Sequence, residues 1–130
     1  MSTYIGFTSH MKRTLFFLLL LFPAFLQGQN DSVQTGKASY YANKFEGRKT
    51  ANGEIFSNKK MTAAHKTLPF GTRVRVTNLK NEKVIIVTIN DRLPKKSGRI
   101  IDLSRSAAKE LDFIKAGITK VTIEIISPEQ

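Results

Sequence analysis

Two β-type runs stand back to back between residues 72 and 89, and this pair limits the fold more than any other feature of the chain. Thr72-Arg-Val-Arg-Val-Thr77 alternates strictly, with Val74 and Val76 on one face and Arg73 and Arg75 on the other, the period of a half-buried strand. Asn78-Leu-Lys-Asn-Glu-Lys83 has turn chemistry, and Val84-Ile-Ile-Val-Thr-Ile89 follows as an apolar β-branched run. Such a run suits a strand covered on both faces, as in a closed barrel. The two read as a hairpin. Lys120-Val-Thr-Ile-Glu-Ile-Ile126 adds an alternating strand with Val121, Ile123 and Ile125 inward, and Gly36-Lys-Ala-Ser-Tyr-Tyr41 a first strand. The expected class is therefore all-β.

One short helix is expected beside these strands. Ser104 can cap it, Ala107, Ala108 and Leu111 have helical spacing, and Gly117 can close the turn after it. Leu103 before the cap and Ala108 inside can form a hydrophobic staple. Residues 42–71 hold glycines, Asn52, Asn58 and Pro69 without a clear period, so they read as loops with one or two short strands. Long ordered loops in a small domain are usually functional.

The 130 residues amount to one domain and a leader. Lys12 and Arg13 precede the apolar run Thr14–Phe22, which gives way to Pro23-Ala-Phe-Leu-Gln-Gly28, the plan of a secretory signal. The run falls short of the roughly 20 apolar residues of a membrane span. We assign residues 1–28 to a signal peptide, with Met11 as a possible true start, residues 29–35 to a flexible lead and 36–126 to the domain. An uncleaved membrane anchor is the alternative. Either way the domain is exported, to the periplasm or outside the cell. Without the leader 19 basic residues face 10 acidic ones, a net charge of +9. So basic a domain favours an anionic partner, and export argues against nucleic acid. Peptidoglycan, with its stem-peptide and lactyl carboxylates, is the anionic polymer an envelope protein meets. The chain has no cysteine, which excludes disulfides, a thiolate metal site, a cysteine nucleophile and lipidation of an N-terminal cysteine.

Four segments hold most of the groups capable of chemistry: Thr50-Ala-Asn-Gly-Glu54, Met61 to Pro69, Asn90-Asp-Arg-Leu-Pro94 and Arg99-Ile-Ile-Asp-Leu-Ser104. Asp91 stands where a strongly apolar strand ends in a Pro-containing turn. A carboxylate at a barrel rim, partly desolvated, suits a general acid; the competing role is a turn cap bonded to its own backbone. Glu54 reads by itself as a solvated loop charge. His65, the one histidine outside the leader, reads as a packed, hydrogen-bonded residue, and a single His without Cys makes a poor metal site. Asp102 precedes the helix start and is expected to stabilise that terminus. Tyr40, Tyr41 and Phe45 suit either a sugar-stacking shelf or the core.

The motifs Ala38-Ser-Tyr-Tyr41, Phe45-Glu-Gly-Arg-Lys-Thr-Ala-Asn-Gly-Glu54, Thr62-Ala-Ala-His-Lys-Thr-Leu-Pro69, Arg75-Val-Thr-Asn78, Asn90-Asp-Arg92 and Arg99-Ile-Ile-Asp-Leu-Ser104 occur in one order across residues 36–126. In this the chain closely resembles the rare lipoprotein A family. The resemblance implies a small six-stranded double-psi β-barrel with one short helix, related to the barrels of expansins and some endoglucanases. It implies an endolytic lytic transglycosylase that cleaves peptidoglycan glycan strands between N-acetylmuramic acid and N-acetylglucosamine and leaves anhydro-muramyl ends. Asp91 would be its acid/base, Glu54 a second catalytic carboxylate and His65 a residue beside them. Tyr40, Tyr41, Arg48, Asn52, Lys66 and Arg92 would contact substrate. Neither a metal nor an organic cofactor is expected, and the domain is expected to act as a monomer. The family usually has Gly where Leu93 stands, often Trp at Tyr40, Gly at Ala42 and His at Glu46. The C-terminal SPOR-type glycan-binding repeat and the lipid-bearing cysteine of many members are also expected to be missing. The alternative function is that of a non-catalytic, expansin-like wall-binding or wall-loosening module.

Overall fold

The computed structural model describes residues 33–126. The expected signal peptide and most of the lead lie outside these residues. Six strands close into a barrel: β1 (Val33–Tyr40), β2 (Thr62–His65), β3 (Arg73–Asn78), β4 (Val84–Arg92), β5 (Arg99–Leu103) and β6 (Thr119–Ile125). The strand order is β1-β5-β2-β4-β3-β6. The β1–β5 and β2–β4 pairs are parallel and the other four antiparallel. One short helix, α1 (Arg105–Glu110), follows β5. The six-stranded barrel with a single short helix is the fold that the resemblance implies.

The barrel is filled rather than hollow. Val74, Val76, Ile85, Val87, Ile89, Ile101, Leu103, Val121 and Ile123 point inward and are all buried. Ala38 and Ala63 supply the small side chains with which a narrow barrel accommodates the large ones. Phe113 and Leu111 close the side covered by α1.

Three expectations change. The Val84–Ile89 run is covered on one face only: Ile85, Val87 and Ile89 are buried, while Val84 is 51% and Ile86 40% exposed. Closure of the barrel gives β4 two strand neighbours but nothing to lie on its outer face. Ile125, expected inward, is 40% exposed at the end of β6. Val33, Gln34 and Thr35, expected in the lead, belong to β1 and pair with Glu124, Ile123 and Thr122. The helix is closed at Asp112, while Gly117 (φ 77°) closes the turn that follows by donating its N–H to Phe113 O at 2.9 Å. Asp112 takes the left-handed conformation (φ 58°). Its N–H donates to Lys109 O, and that of Phe113 to Ala108 O. This satisfies the last carbonyls of the helix, with Phe113 and Ala108 both buried. The N-terminus is as expected: Ser104 Oγ accepts the Ala107 N–H at 3.3 Å.

Both parallel pairs contain a register shift, and these shifts aim the polar residues. Ala63 pairs with Ile89 but Ala64 with Asp91, so Asn90 is the extra residue on β4. Likewise Lys37 pairs with Arg99 and Ala38 with Ile101, leaving Ile100 extra on β5. A bulge of this kind re-aims the side chains that follow it. The second bulge needs Gly36 beneath it, since a Cβ there would meet Ile100 Cγ2 at 2.6 Å.

Candidate active site

The strand register assembles a row of side chains across the barrel wall. Ser39 on β1 is opposite Asp102 on β5, Asp102 is opposite Ala64 on β2, and Ala64 is opposite Asp91 on β4. All four line one groove of about 670 Å³, together with Tyr41, Phe45, Leu93 and the cationic side chains Arg48, Lys49, Arg92 and Arg99. Ala64 carries only a methyl group and is itself 2% exposed, so it puts no bulky side chain between the two carboxylates.

Asp91 is held by three donors. Tyr41 donates its hydroxyl to Oδ2 at 2.5 Å. Oδ1 accepts the backbone N–H of Ala51 at 2.8 Å and that of Arg92 at 2.9 Å. With Oδ1 occupied by two N–H groups that can only donate, Oδ2 is the oxygen left to carry a transferable proton. Asp91 thus does bond its neighbouring backbone, as a turn cap does, yet it also faces the groove. The Tyr41 ring stacks on Phe56 (4.2 Å between centroids) and meets Phe45 edge-on at 5.8 Å. Burial and the charges of Asp91 and Asp102 push the Tyr41 hydroxyl well above the ordinary tyrosine pKa, so it remains a donor.

Asp102 does not serve the helix. Arg99 grips its carboxylate with two N–H groups, Nε to Oδ1 at 2.7 Å and Nη2 to Oδ2 at 3.1 Å. Ser39 Oγ adds a third bond at 2.7 Å. The bond to Asp102 raises the Arg99 pKa. Sequence reading missed Asp102, Arg99 and Ser39 as site residues. The available signal was alternation in Arg99–Leu103, where inward Ile101 and Leu103 leave Asp102 on the outer face.

The other expected site residues divide. Arg48 and Arg92 line the groove. Arg48 lies over the Phe45 ring at 5.5 Å, and Arg92 over the Phe70 ring at 4.1 Å. Tyr40, next to Tyr41, turns its ring the other way: it packs edge-on against Phe113 at 5.7 Å and donates to Ile114 O at 2.7 Å. Tyr40 and Tyr41 both border the groove, but their rings pack on different partners, Phe113 and Phe56, and form no common shelf. Lys66 Nζ is spent on Ser97 O at 2.7 Å. Asn52 braces its own turn: its Oδ1 accepts the Thr50 hydroxyl and the Glu54 N–H, and its Nδ2 donates to the Glu54 carboxylate. Glu54 is exposed on this turn and stands outside the groove lining. The turn bears on the site through Ala51 N–H on Asp91 and Asn52 N–H on Asn90 O at 3.3 Å.

Both ring nitrogens of His65 are engaged within the protein. Its Nδ1 accepts the N–H groups of Thr67 and Leu68, both at 3.0 Å. Nε2 must therefore carry the hydrogen and donate to Gln34 Oε1 at 3.0 Å. The residue is 3% exposed. Burial, with Arg92 and Lys66 nearby, holds its pKa below the ordinary histidine value. These surroundings match the packed, hydrogen-bonded role read from the residue alone. Leu93 donates its N–H to His65 O and is 4% exposed, so it borders the groove with little of its surface. Among the described residues no three potential metal ligands cluster.

Residues 33–123 match the family model described as lytic transglycolase. The chain is 55% identical over 94 residues to the endolytic peptidoglycan transglycosylase RlpA of Pasteurella multocida (strain Pm70), covering 72% of this chain and 32% of that protein. It thus spans about a third of that curated relative's length. Among solved structures it superposes on the Streptomyces papain inhibitor (TM-score 0.61, 24% identity, 75% of this chain and 96% of that one). It also superposes on the apo expansin of Clavibacter michiganensis (TM-score 0.58, 21% identity, 75% and 52%). At such identities these two likenesses concern the fold alone. The sequence match over nearly the whole barrel goes further: this chain belongs to the rare lipoprotein A family of lytic transglycolase double-psi β-barrels.

Proposed function

We propose that the domain is an endolytic peptidoglycan lytic transglycosylase, exported to the cell envelope, with Asp91 as its acid/base. The observation that carries this reading is the Asp91 carboxylate at the groove, with Oδ1 saturated by two backbone donors and Oδ2, bonded to the Tyr41 hydroxyl alone, left as the oxygen to exchange a proton. Protonated Asp91 gives its proton to the glycosidic oxygen as the bond from that oxygen to the muramyl C1 breaks. The muramyl C6 hydroxyl then closes on C1, and its proton passes to the Asp91 carboxylate. The enzyme returns to its starting state, and the products are one anhydro-muramyl end and one free 4-hydroxyl. Water takes no part, and one group serves as acid and then as base.

The groove suits this substrate in charge as well as size. Arg48, Lys49, Arg92 and Arg99 outnumber the two aspartates, which favours a strand bearing lactyl or stem-peptide carboxylates. Phe45 and Tyr41 offer apolar ring surface to sugar faces. Mass spectrometry of sacculi incubated with the purified protein tests the reading. Anhydro-muramyl fragments that appear with enzyme and time support it. Binding to sacculi with no such fragment from any glycan preparation would leave the domain as a wall-binding module instead.

A further inference from the structure

We infer that Asp102, rather than Glu54, is the second carboxylate that faces the sugar in this site, acting as a fixed anion opposite Asp91. The inference rests on the transglycosylase reading and specifies how its site works.

Three independent observations carry it. The first is register: Asp91 and Asp102 flank the same residue, Ala64, on either side of β2. Neighbouring strands lie about 4.8 Å apart, so the two aspartates are separated at their Cα atoms by roughly 10 Å on one face, with a methyl group between them. The second is access. Asp102 lines the groove, whereas Glu54 is turned onto Asn52 within its own loop. The third is fixation. Two N–H groups from Arg99 and the Ser39 hydroxyl hold the Asp102 carboxylate in one orientation. A guanidinium fork of this kind adds geometric specificity as well as energy.

These features suit an electrostatic task rather than proton transfer. As the bond to the leaving oxygen breaks, positive charge develops at C1 and the ring oxygen. A fixed anion beside that charge lowers the barrier without having to reorient at the moment of reaction. Asp91 still supplies and recovers the only proton that moves, so the balance of the step is unchanged. Ser39 and Arg99 then act as positioning residues.

The test compares Asp102→Asn and Glu54→Gln with wild type in the full chain, measuring anhydro-muramyl release, sacculus pelleting and thermal unfolding. Loss of one preorganised oxyanion-hole donor typically costs about 10²–10³-fold in turnover, and the loss of this fixed anion is expected on a similar scale. Asp102→Asn is expected to lose turnover on that scale while pelleting with sacculi as wild type does, and Glu54→Gln to lose less than about tenfold. Because Asp102→Asn weakens the Arg99 fork, Ser39→Ala serves as a second variant. It keeps both charges, is expected to fold, and should lower kcat several-fold with KM unchanged. An active wild type with Asp102→Asn equally active overturns the inference and leaves the transglycosylase reading standing. Loss of pelleting and unfolding temperature in proportion to the loss of activity also overturns it, in favour of a structural role for the Arg99–Asp102 pair. A wild type that releases no anhydro-muramyl product removes the reading, and the inference with it.

Discussion

Asp91 and Asp102 stand in register with the same small residue, Ala64, one from the parallel neighbour of β2 and one from its antiparallel neighbour. Two strands whose connections differ in kind thus deliver two carboxylates to one groove. The mixed sheet makes this possible, because β2 has a strand of each sense beside it. The bulges at Asn90 and Ile100 then set which face each aspartate takes.

Replacing Asp91 with Asn keeps size and most hydrogen bonding but removes the transferable proton. General acid–base catalysis contributes typically ~10²–10⁴-fold, so release of anhydro-muramyl product should fall by at least about 10². Sacculus pelleting should survive. Full product release by this variant in a chromatographic assay would exclude Asp91 as the acid/base.

Tyr41→Phe tests the donor on Oδ2. The ring can still stack on Phe56, and only the bond to Asp91 is lost. A hydrogen bond to a charged group is worth about 1.5–3 kcal/mol. Turnover should therefore fall by about tenfold or more, chiefly in kcat. Equal activity of variant and wild type across the pH range would show that Asp91 needs no hydroxyl beside it.

His65 makes stability depend on pH. Its pKa in the folded protein lies below the ordinary 6.5, so the unfolded chain binds more protons between the folded value and 6.5. The stabilisation it provides is complete above pH 6.5 and is lost as pH falls through the folded value. Thermal unfolding of wild type should show this decline below pH 6.5, and His65→Gln, though less stable overall, should show a flatter profile. At a temperature where it is folded, His65→Gln should also retain most of its activity. Loss of activity without loss of stability would show that His65 takes part in catalysis.

Gly36→Ala should destabilise the barrel by about 1–3 kcal/mol, the usual cost of overpacking, since the new Cβ would meet Ile100 Cγ2 at 2.6 Å. Ile100→Ala in the same chain should recover part of that loss. Urea unfolding of both single variants and the double variant measures the coupling. Strict additivity would mean that the bulge can shift without cost.

Much of the barrel is legible in the order of its residues, because local structure answers to local patterns. Alternation in Thr72–Thr77 specifies β3, and Ser104 with Ala107, Ala108 and Leu111 specifies the start of α1. The apolar period of Val121 and Ile123 specifies most of β6. The motifs around Asp91 mark that residue before any contact is known. Contacts between distant segments are decided elsewhere. The Ser39–Asp102 bond joins residues 63 positions apart, and Tyr41–Asp91 joins residues 50 apart. No periodicity in either segment encodes such a pairing. Both follow from which strands become neighbours when the sheet closes, and from bulges that shift the register by one residue. The same closure leaves Val84 and Ile86 facing solvent, although their run reads as buried on both sides. It also commits both ring nitrogens of His65 to neighbours within the protein. Sequence alone determined β1, β3, β4, β6, the start of α1 and which carboxylate to suspect first, whereas the short β2 and β5 are defined by the neighbours they pair with. Tertiary structure decided which groups share the groove, because side-chain direction in a sheet reverses with every one-residue change in register.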